Sequence, residues 1–409
     1  MHRIVLLAAL FALGACSQVT PPGAGEATDT RLMASGVKGR GEQVAVSQKL
    51  GAVFVVGDTG GALDGPYNGG ADAFLRRYNR DGTLAWRTQI GGILDDYALG
   101  VALDGNANVY VLTYKVRMST SGTGSLYKYT SGGKQLWVQR FNAPSESGGE
   151  VYLSELAVGG NGHVYIAGSY SSETFLRAYN TDGTLLYETS FLGSDMGEGV
   201  TALTADAAGN AYMATRVITD EDYYLSVIYK FSPNGKELWW RGVPGQIWID
   251  DLQIVSNTLW AGGVKFYLGT VGDGYGIVEK DALVANYDPS GGLRWLKSFG
   301  TRQTDAVVGI TADLQGNAVV VGSTAGSFGA PNKGQTDIFV RKFTPSGNAA
   351  WTKQFGTAEY DSGADIVAYG TNEFYLTGSS DGTFTNSTYN SGVLTMRLDG
   401  SGRTVWLDQ

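Results

Sequence analysis

The sequence contains few of the side chains on which metal sites and nucleophilic enzymes depend. Cys16 is the single cysteine in 409 residues, and His163 is the single histidine beyond His2 near the N-terminus. One cysteine cannot form a disulfide within the chain, and these counts do not supply the several ligands of a zinc site. His163 lies in a predicted hairpin turn, where we expect a solvated turn residue. The sequence therefore excludes a disulfide framework and a zinc enzyme of the usual kind.

Long apolar runs are also lacking beyond the N-terminal segment, so no later transmembrane helix is predicted. Basic residues are the minority, with 30 Lys and Arg against 39 Asp and Glu and a net charge of −9. No cluster of basic and aromatic residues offsets this charge, which opposes binding to nucleic acid or to anionic membrane surfaces. We find no convincing amphipathic helix. The 60 glycines and 23 tyrosines instead suit short strands joined by tight turns.

Residues 1–15 have the pattern of a secretory signal peptide. A short polar start is followed by the apolar stretch 4–13 and then by small residues. Leu13 to Cys16 resembles a bacterial lipobox, which predicts cleavage before Cys16 and lipid attachment to its thiol. The modified cysteine then cannot act as a nucleophile. Residues 16–36 are predicted to be a flexible tether, in which 31–35 is a candidate closing strand for the fold that follows.

A sequence pattern of three spaced residues recurs seven times along the rest of the chain. Each copy has an aromatic residue or Leu, a Gly four positions later, and another aromatic four positions after that. The glycines of successive copies are 50 to 56 residues apart, and such a period marks a repeat architecture. The closing aromatics of the copies are Trp86, Trp137, Tyr187, Trp239, Trp295, Trp351 and Trp406.

Each repeat carries the turn chemistry of a β-hairpin. Asp288 to Gly291 and Thr344 to Gly347 show the pattern, with Pro at an early corner and Gly at the left-handed position. A hairpin-rich repeat of roughly 50 residues has the size of a propeller blade. We therefore predict an all-β fold for residues 37–409, a seven-bladed β-propeller of four-stranded antiparallel blades. The closing aromatics are expected to form a structural girdle between blades.

Units 1 and 6 share a longer signature. Unit 1 has a Gly-rich stretch at 57–65 and Asp72-Ala73-Phe74-Leu75, and unit 6 has the matching stretch 322–329 and Asp337-Ile338-Phe339-Val340. Together with the repeated Gly-to-Trp pattern, these segments resemble the bacterial seven-bladed β-propeller repeat family, abbreviated SBBP. The resemblance covers about residues 37–409, strongly in units 1, 6 and 7 and more loosely in units 2 to 5. It implies an envelope or secreted setting and no catalytic residue. Quinoprotein propellers are less similar, because their enzymes pair the cofactor with a disulfide.

Acidic residues recur just before the predicted innermost strand of five units, at Asp96, Glu198, Asp251, Asp305 and Asp361. In an up-and-down blade these positions share one face of the propeller. Asp96, Asp305 and Asp361 are the candidate Ca²⁺ ligands, since Ca²⁺ prefers oxygen; no other metal and no organic cofactor is predicted. Capping of each acid's own loop explains the same pattern. Attraction of a cationic partner and glycoside hydrolysis by a carboxylate pair are further hypotheses.

The loops on that face vary most in length and composition. Lys265–Lys280 in unit 5 and Ile218–Tyr224 in unit 4 combine acids with aromatic residues. Loops on a rigid frame commonly carry binding, and acid-plus-tyrosine surfaces suit basic protein patches or sugar rings. Random change of loop sequence and length, without any binding role, accounts for the same variation. The predicted interaction face comprises Tyr67, Asp96, Glu198, Tyr223, Asp251, Tyr267, Tyr275, Asp305, Asp361 and Tyr389.

These observations favour a monomeric, non-enzymatic scaffold in the bacterial cell envelope, attached to the membrane only through lipid on Cys16. Its expected partner is an envelope protein or a glycan, bound by the loop-rich face. An envelope-assembly factor is a second hypothesis in the binding class. A carbohydrate-active hydrolase or lyase that uses carboxylates at the channel mouth is the alternative from the enzyme class.

Overall fold

A computed structural model describes residues 39–61, 70–115, 123–141, 151–170, 173–192, 199–218, 224–271, 274–384 and 392–409. The regular structure of these residues consists of 28 β-strands. No helix in this part of the chain has the length and apolar character needed to cross a membrane.

The strands form seven sheets of four consecutive antiparallel strands each, which we number as blades 1 to 7. Blade 1 contains β1 (Gly39–Ser47), β2 (Ala52–Thr59), β3 (Asp72–Tyr78) and β4 (Leu84–Ile90). Blade 2 contains β5 (Asp96–Leu103), β6 (Val109–Lys115), β7 (Thr123–Tyr129) and β8 (Gln135–Phe141). Blade 3 contains β9 (Val151–Val158), β10 (Val164–Tyr170), β11 (Glu173–Tyr179) and β12 (Leu185–Leu192). Blade 4 contains β13 (Val200–Ala205), β14 (Ala211–Ile218), β15 (Tyr224–Phe231) and β16 (Glu237–Gly242).

Blade 5 contains β17 (Ile247–Val255), β18 (Thr258–Val271), β19 (Gly274–Tyr287) and β20 (Leu293–Phe299). Blade 6 contains β21 (Asp305–Ala312), β22 (Ala318–Thr324), β23 (Asp337–Phe343) and β24 (Ala349–Phe355). Blade 7 contains β25 (Asp361–Tyr369), β26 (Glu373–Ser380), β27 (Val393–Asp399) and β28 (Thr404–Asp408). The prediction of a seven-bladed, four-stranded all-β propeller is confirmed.

The repeat glycines close the turn between the third and fourth strands of each blade. All seven have left-handed backbones, with φ between 78° and 92°. In blade 6, the N–H of Gly347 donates to the carbonyl of Thr344 at 2.8 Å, which closes a tight turn. Glycine adopts this conformation without the steric cost that a Cβ atom brings. Local turn chemistry therefore explains the glycine of each repeat.

The repeat tryptophans join neighbouring blades. Each indole Nε1 donates to a main-chain carbonyl in the β3–β4-type turn of the following blade. Trp86 bonds to Ser131, Trp137 to Thr181, Trp239 to Pro289, Trp295 to Pro345 and Trp351 to Gly400, at 3.0 to 3.3 Å. These rings are half-buried rather than enclosed. The girdle predicted from the sequence is therefore a set of interblade hydrogen bonds as well as a packing layer.

The core consists of one apolar cluster at each junction between blades. Between blades 1 and 2, for example, Phe54, Val56 and Leu75 pack against Val101 and Val111. The strands of a single blade are two-faced, so neither face is buried until the adjacent blade covers it. Apolar burial therefore stabilises the ring only when the blades are stacked.

The ring closes between blade 7 and blade 1. Trp406 Nε1 donates to the carbonyl of Arg80 at 3.1 Å, and the Tyr78 hydroxyl donates to Asp408 Oδ2 at 2.7 Å. Closer to the axis, the Val44 N–H donates to Asp365 Oδ2 at 2.9 Å. All four described strands of blade 7 come from the C-terminal part of the chain. The closing strand predicted at 31–35, the signal peptide and the tether lie outside the described residues.

Candidate functional site

Blade 5 carries a hairpin that extends beyond the other blades. Its strands β18 and β19 are 14 residues each, whereas the other strands have 5 to 9. The two strands pair as far as Val271 with Gly274. The sequence predicted a variable loop at Lys265–Lys280, and the structure corrects this to two paired strands, whose register shifts between Tyr267 and Leu268. We call residues 265–280 the arm.

An aromatic and ionic cluster holds the base of the arm against blades 4 and 5. The ring of Phe266, which is 2% exposed, lies 4.5 Å from that of Trp248 in an edge-to-face arrangement. The Arg216 guanidinium lies 4.2 Å from the Trp248 ring. Arg216 also donates to Asp250 Oδ1 at 2.6 Å. Edge-to-face aromatic and cation–π contacts of this kind fix the direction in which the hairpin leaves the blade.

Tyr267, a predicted interface residue, lies at the arm base. Its hydroxyl donates to Asp281 Oδ2 at 2.9 Å, and the Lys265 ammonium lies 4.9 Å from its ring. Asp281 opposes Lys265 across the hairpin. The Tyr267 side chain therefore contacts residues of both β18 and β19, and these contacts fix its orientation.

The first residues of the inner strands lie at the same end of the blades as the arm, because each pairs with the end of a second strand. Asp361 pairs with Ser380, and Ile247, the first residue of β17, pairs with Lys265. We call this end of the propeller the arm face. Asp96, Asp305 and Asp361 all lie there, each as the first residue of its inner strand.

Asp305 and Asp361 cap their own loops. Asp305 Oδ2 accepts the Thr301 N–H at 2.5 Å and the Thr301 hydroxyl at 2.9 Å. Asp361 Oδ2 accepts the same two groups of Thr357 at 2.6 and 3.0 Å. Burial raises the pKa of Asp361, while hydrogen bonds from Ser380 and Thr357 lower it in part. The capping explanation of the acidic repeat thus accounts for both side chains.

Asp96 has the same role with an added cation. Its Oδ2 accepts the Gly92 N–H at 2.9 Å and lies 3.3 Å from the Lys115 ammonium. Burial raises the pKa of Asp96, and the charge of Lys115 opposes that rise. In the described part of the chain, no group of three or more His, Cys, Asp or Glu side chains is placed to hold a metal ion. Calcium at Asp96, Asp305 and Asp361 stays a prediction.

Asp251 does not belong with these residues. It is the fifth residue of β17 and follows a β-bulge at Asp250, whereas the first residue of that strand is Ile247. The sequence interpretation grouped Asp251 with the loop caps because it placed the start of this inner strand after Asp251, whereas β17 begins at Ile247. In the structure, Asp251 lines the central channel.

A bulge occurs at the corresponding place in every inner strand. The residue after it, from blade 1 to blade 7, is Gln43, Gly100, Glu155, Ala202, Asp251, Gly309 and Asp365. Polar side chains of blades 1, 3, 5 and 7 thus alternate with small residues of blades 2, 4 and 6. We call Glu155, Asp251 and Asp365 the channel carboxyls.

Two cavities along the channel meet at these side chains. The one towards the arm face has a volume of about 140 Å³ and is lined by all three channel carboxyls, Glu42 and Asp250 among others. The deeper one, of about 250 Å³, is bounded by Gln43, Asp251 and Asp365 at its upper end. Asp250 connects the upper cavity to the arm base through Arg216. The arm base and the channel mouth therefore lie near one another.

The channel carboxyls hold protons more strongly than ordinary acids. Burial, followed by the charges of Asp251 and Asp365, raises the pKa of Glu155 well above its usual range. Burial and the charge of Asp365 do the same for Asp251. Burial raises the pKa of Asp365 to about 7. Three like-charged groups from three blades cannot all ionise without a compensating cation.

Main-chain bonds fix two of these carboxyls. Asp251 Oδ2 accepts the Ile310 N–H of the next blade at 2.7 Å, as Asp365 Oδ2 does from Val44. The sequence interpretation missed Glu155 and Asp365. No sequence signal marked them, because the position after the bulge follows from the pairing of β9 and β25 with their neighbouring strands.

Several predicted interface residues lie outside the described residues, namely Tyr67, Glu198, Tyr223 and Tyr389, as does the lipidation residue Cys16. Tyr275 belongs to β19, where it pairs with Thr270. The structure thus brings Tyr267, Asp96, Asp305 and Asp361 to the arm face and moves Asp251 into the channel.

Comparisons with known proteins support the fold. No family model matches the sequence, so the SBBP assignment stays a prediction. The regulatory protein FlaEY of Caulobacter vibrioides is 34% identical over 98 residues, which are 22% of this chain and 10% of that protein. The chain thus covers one tenth of the curated relative that it matches.

Two solved structures resemble most of the chain. A prolyl endopeptidase is similar with a TM-score of 0.52 and 14% identity, over 90% of this chain and 48% of that one. The polysaccharide lyase Uly1 is similar with a TM-score of 0.51 and 10% identity, over 88% of this chain and 89% of that one. At these identities the likeness extends to the fold alone, and the chain is a β-propeller repeat protein.

Proposed function

We propose that this chain is a non-catalytic binding protein, anchored to the bacterial envelope by lipid on Cys16, that captures an envelope protein with its arm face. The arm is the observation that carries the proposal. It projects on an ordered base of Phe266, Trp248 and Arg216, and a rigid frame lowers the entropy cost of binding. A protein is favoured over a glycan because the adjoining channel mouth is acidic and suits basic side chains.

Shortening the arm tests this proposal. Residues 268–278 are replaced by Asn-Gly, which leaves the Tyr267 and Glu279 pair joined by a two-residue turn. Crosslinking of the full-length lipoprotein in intact cells should then lose its main product. Replacement of the exposed Leu314 by Ser, in the turn between β21 and β22, is the matched control and should keep it. Unchanged crosslinking by a folded, shortened protein would contradict the proposal.

Envelope anchoring has its own test. Cys16→Ala should release the protein from the membrane fraction, because the lipid is the proposed attachment. Retention of the variant in that fraction would mean that another element anchors it.

The hydrolase or lyase alternative has less support. Three of the carboxylates that the sequence offered for it, Asp96, Asp305 and Asp361, each use an oxygen to cap a loop. Turnover of an envelope polysaccharide that is abolished by replacing all three with Ala would favour the enzyme. An envelope-assembly factor is a special case of the binding proposal, in which the captured protein is an assembly component.

A further inference from the structure

We propose that the cleft between the outer parts of blades 5 and 6 binds a carboxylate group, held by the guanidinium of Arg341. Arg341 is on β23, and its guanidinium carbon lies 5.0 Å from the centre of the Phe299 ring on β20. The cleft is therefore formed by the third strand of blade 6 and the outermost strand of blade 5, away from the strands of the arm. This site is independent of the proposed function.

Equivalent arginines of other blades have carboxylate partners. Arg76, Arg177 and Arg341 each lie two residues before the aromatic that begins the repeat pattern, in the third strands of blades 1, 3 and 6. Arg76 lies 3.9 Å from Asp408 Oδ2 of blade 7, and Arg177 donates to Glu188 Oε2 of its own blade at 2.5 Å. Among the described residues, Arg341 forms no hydrogen bond and no ion pair. An acid is therefore missing at one of three equivalent places.

Neither of these two carboxylates has a counterpart beside Arg341. Lys297 is two residues after the repeat tryptophan of blade 5, which is the place of Asp408 in blade 7. Thr352 pairs directly with Arg341, which is the place of Glu188 in blade 3. In the described part of the chain, neither Lys297 nor Thr352 has a hydrogen-bond or ion-pair partner of its own. The cleft thus has two cations and a free hydroxyl where the equivalent sites have an acid.

Three aromatic rings hold the Arg341 guanidinium in place. Its carbon lies 5.0 Å from the centres of the Phe299 and Phe328 rings and 5.3 Å from that of Phe343. Phe328 is itself fixed, because its N–H donates to Gln354 Oε1 at 2.6 Å. The rings attract the cation but supply no lone-pair acceptor for its five N–H donors. Since Nε is enclosed without an acceptor, a bound acceptor would satisfy a group that is costly to leave unpaired.

A carboxylate matches the groups that face this cleft. Its two oxygens fit the planar fork of a guanidinium, which donates two parallel hydrogen bonds. The hydroxyl of Thr352 is a further donor, and Lys297 adds a positive charge. Asp408 and Glu188 show that an arginine at this place of the blade pairs with an acid. The ligand is therefore a carboxylate from outside the described residues.

The test is NMR of the full chain in detergent, with isotope-labelled arginine. The Arg341 Nε–H signal is identified by its loss in Arg341→Lys, and Nα-acetyl-glutamate amide is then titrated. This signal should shift and saturate, because a bound carboxylate accepts hydrogen bonds from the guanidinium. Nα-acetyl-glutamine amide, which is neutral and of similar shape, should cause no shift. The Arg177 signal is the internal control and should not respond, since Arg177 already donates to Glu188.

Two variants supply the missing carboxylate from within the chain. Thr352→Glu copies the arrangement of blade 3, and Lys297→Asp copies that between blades 7 and 1. In each variant the added acid should pair with Arg341, shift its signal before any probe is added, and weaken binding of the glutamate probe at least about tenfold. Thr352→Ser, which keeps the hydroxyl, should bind the probe as the unmodified protein does. If one acidic variant fails to fold, the other gives the same measurement.

Absence of a response to the glutamate probe, or an equal response to the glutamine probe, overturns the inference. So does a stronger response to inorganic phosphate, or unchanged binding of the glutamate probe by the folded acidic variants. Acetate separates the two sources of a carboxylate. Tighter binding of acetate assigns the site to a small free acid, and tighter binding of the glutamate probe assigns it to an acidic side chain of a protein.

Discussion

At the scale of single residues, the repeat glycine and the repeat aromatic form one contact across two blades. A methyl group built on Gly82 of blade 1 would lie 2.8 Å from ring atoms of Trp406 of blade 7. The glycine therefore serves two purposes: it allows a left-handed backbone, and its lack of a side chain lets the indole pack against it. The sequence predicted the first purpose from turn chemistry. The second depends on which blade is adjacent.

Replacing Gly82 separates the two purposes when Gly316 is the control. Both have left-handed backbones, with φ of 92° and 77°, but the nearest atom to a methyl group on Gly316 is Pro345 Cγ at 3.7 Å. Gly316→Ala should lower the free energy of unfolding by about 1 kcal/mol, the cost of the backbone conformation. Gly82→Ala should cost at least about 1 kcal/mol more, because the ring must move. If urea unfolding shows equal losses of unfolding free energy for the two variants, the packing of the indole on Gly82 contributes nothing to stability.

At the scale of elements, the arm differs most from its sequence interpretation. The sequence predicts this segment as one of the variable loops between the second and third strands of a blade. The structure makes it a hairpin, because β18 and β19 stay paired beyond the point where other blades turn, with a register shift between Tyr267 and Leu268. Pairing along 14-residue strands stabilises a segment whose own sequence pattern is weak.

The arm base is predicted to depend on Phe266. Phe266→Ala removes a buried ring that packs on Trp248, so the arm should detach and the loss of stability should be about 3 kcal/mol. Limited proteolysis should then cut within residues 265–280 before the rest of the propeller. Phe266→Leu, which keeps most of the apolar volume, should protect the arm. Equal resistance of the Phe266→Ala variant and the unmodified protein would contradict the role of this contact.

At the scale of the whole molecule, the ring closes through side chains of blades 7 and 1. Trp406 reaches across the junction in the same way as the tryptophans at the other junctions, and Tyr78 adds a hydrogen bond to Asp408. Closure leaves no open interface between blades, so each apolar cluster has a partner on both sides.

Trp406→Phe tests the closure against Trp351→Phe at the junction of blades 6 and 7. Each substitution keeps an aromatic ring and removes one indole hydrogen bond, to Arg80 or to Gly400. Both should lower the free energy of unfolding by about 1 kcal/mol. If Trp351→Phe destabilises the protein and Trp406→Phe has no effect, the closing junction is not formed in solution.

The channel carboxyls make stability depend on pH. Their pKa values are higher in the folded protein than the ordinary values near 4 of the unfolded chain. The folded state therefore holds more protons than the unfolded state between about pH 4 and the raised pKa values, and stability falls as pH rises through this window. For Asp365 the loss is complete above its pKa of about 7.

Glu155→Gln should remove part of this dependence. Relative to the unmodified protein, the variant should gain stability as the pH rises from about 5 to about 8, because it no longer carries a charge that the channel disfavours. Thermal unfolding at both pH values measures the difference. The control Glu237→Gln, at an exposed position, should show no such trend. A constant difference between Glu155→Gln and the unmodified protein would mean that Glu155 has an ordinary pKa.

The sequence by itself determined the number of blades, their antiparallel strands and their turns. These follow from chemistry within one repeat, namely the spacing of glycine and tryptophan and the residues that fit left-handed turn positions. The same reasoning offered loop capping as one explanation for Asp305 and Asp361, which is the role the structure shows.

The tertiary structure alone decided what the blades form together. Glu155, Asp251 and Asp365 are about a hundred residues apart in sequence, and they meet because the ring brings three inner strands around one axis. A bulge shifts each strand by one residue and so decides which side chain faces the channel. Sequence spacing cannot reveal that shift, since the pairing partner lies on another strand. The candidate binding surface therefore depends on long-range register and on closure of the ring.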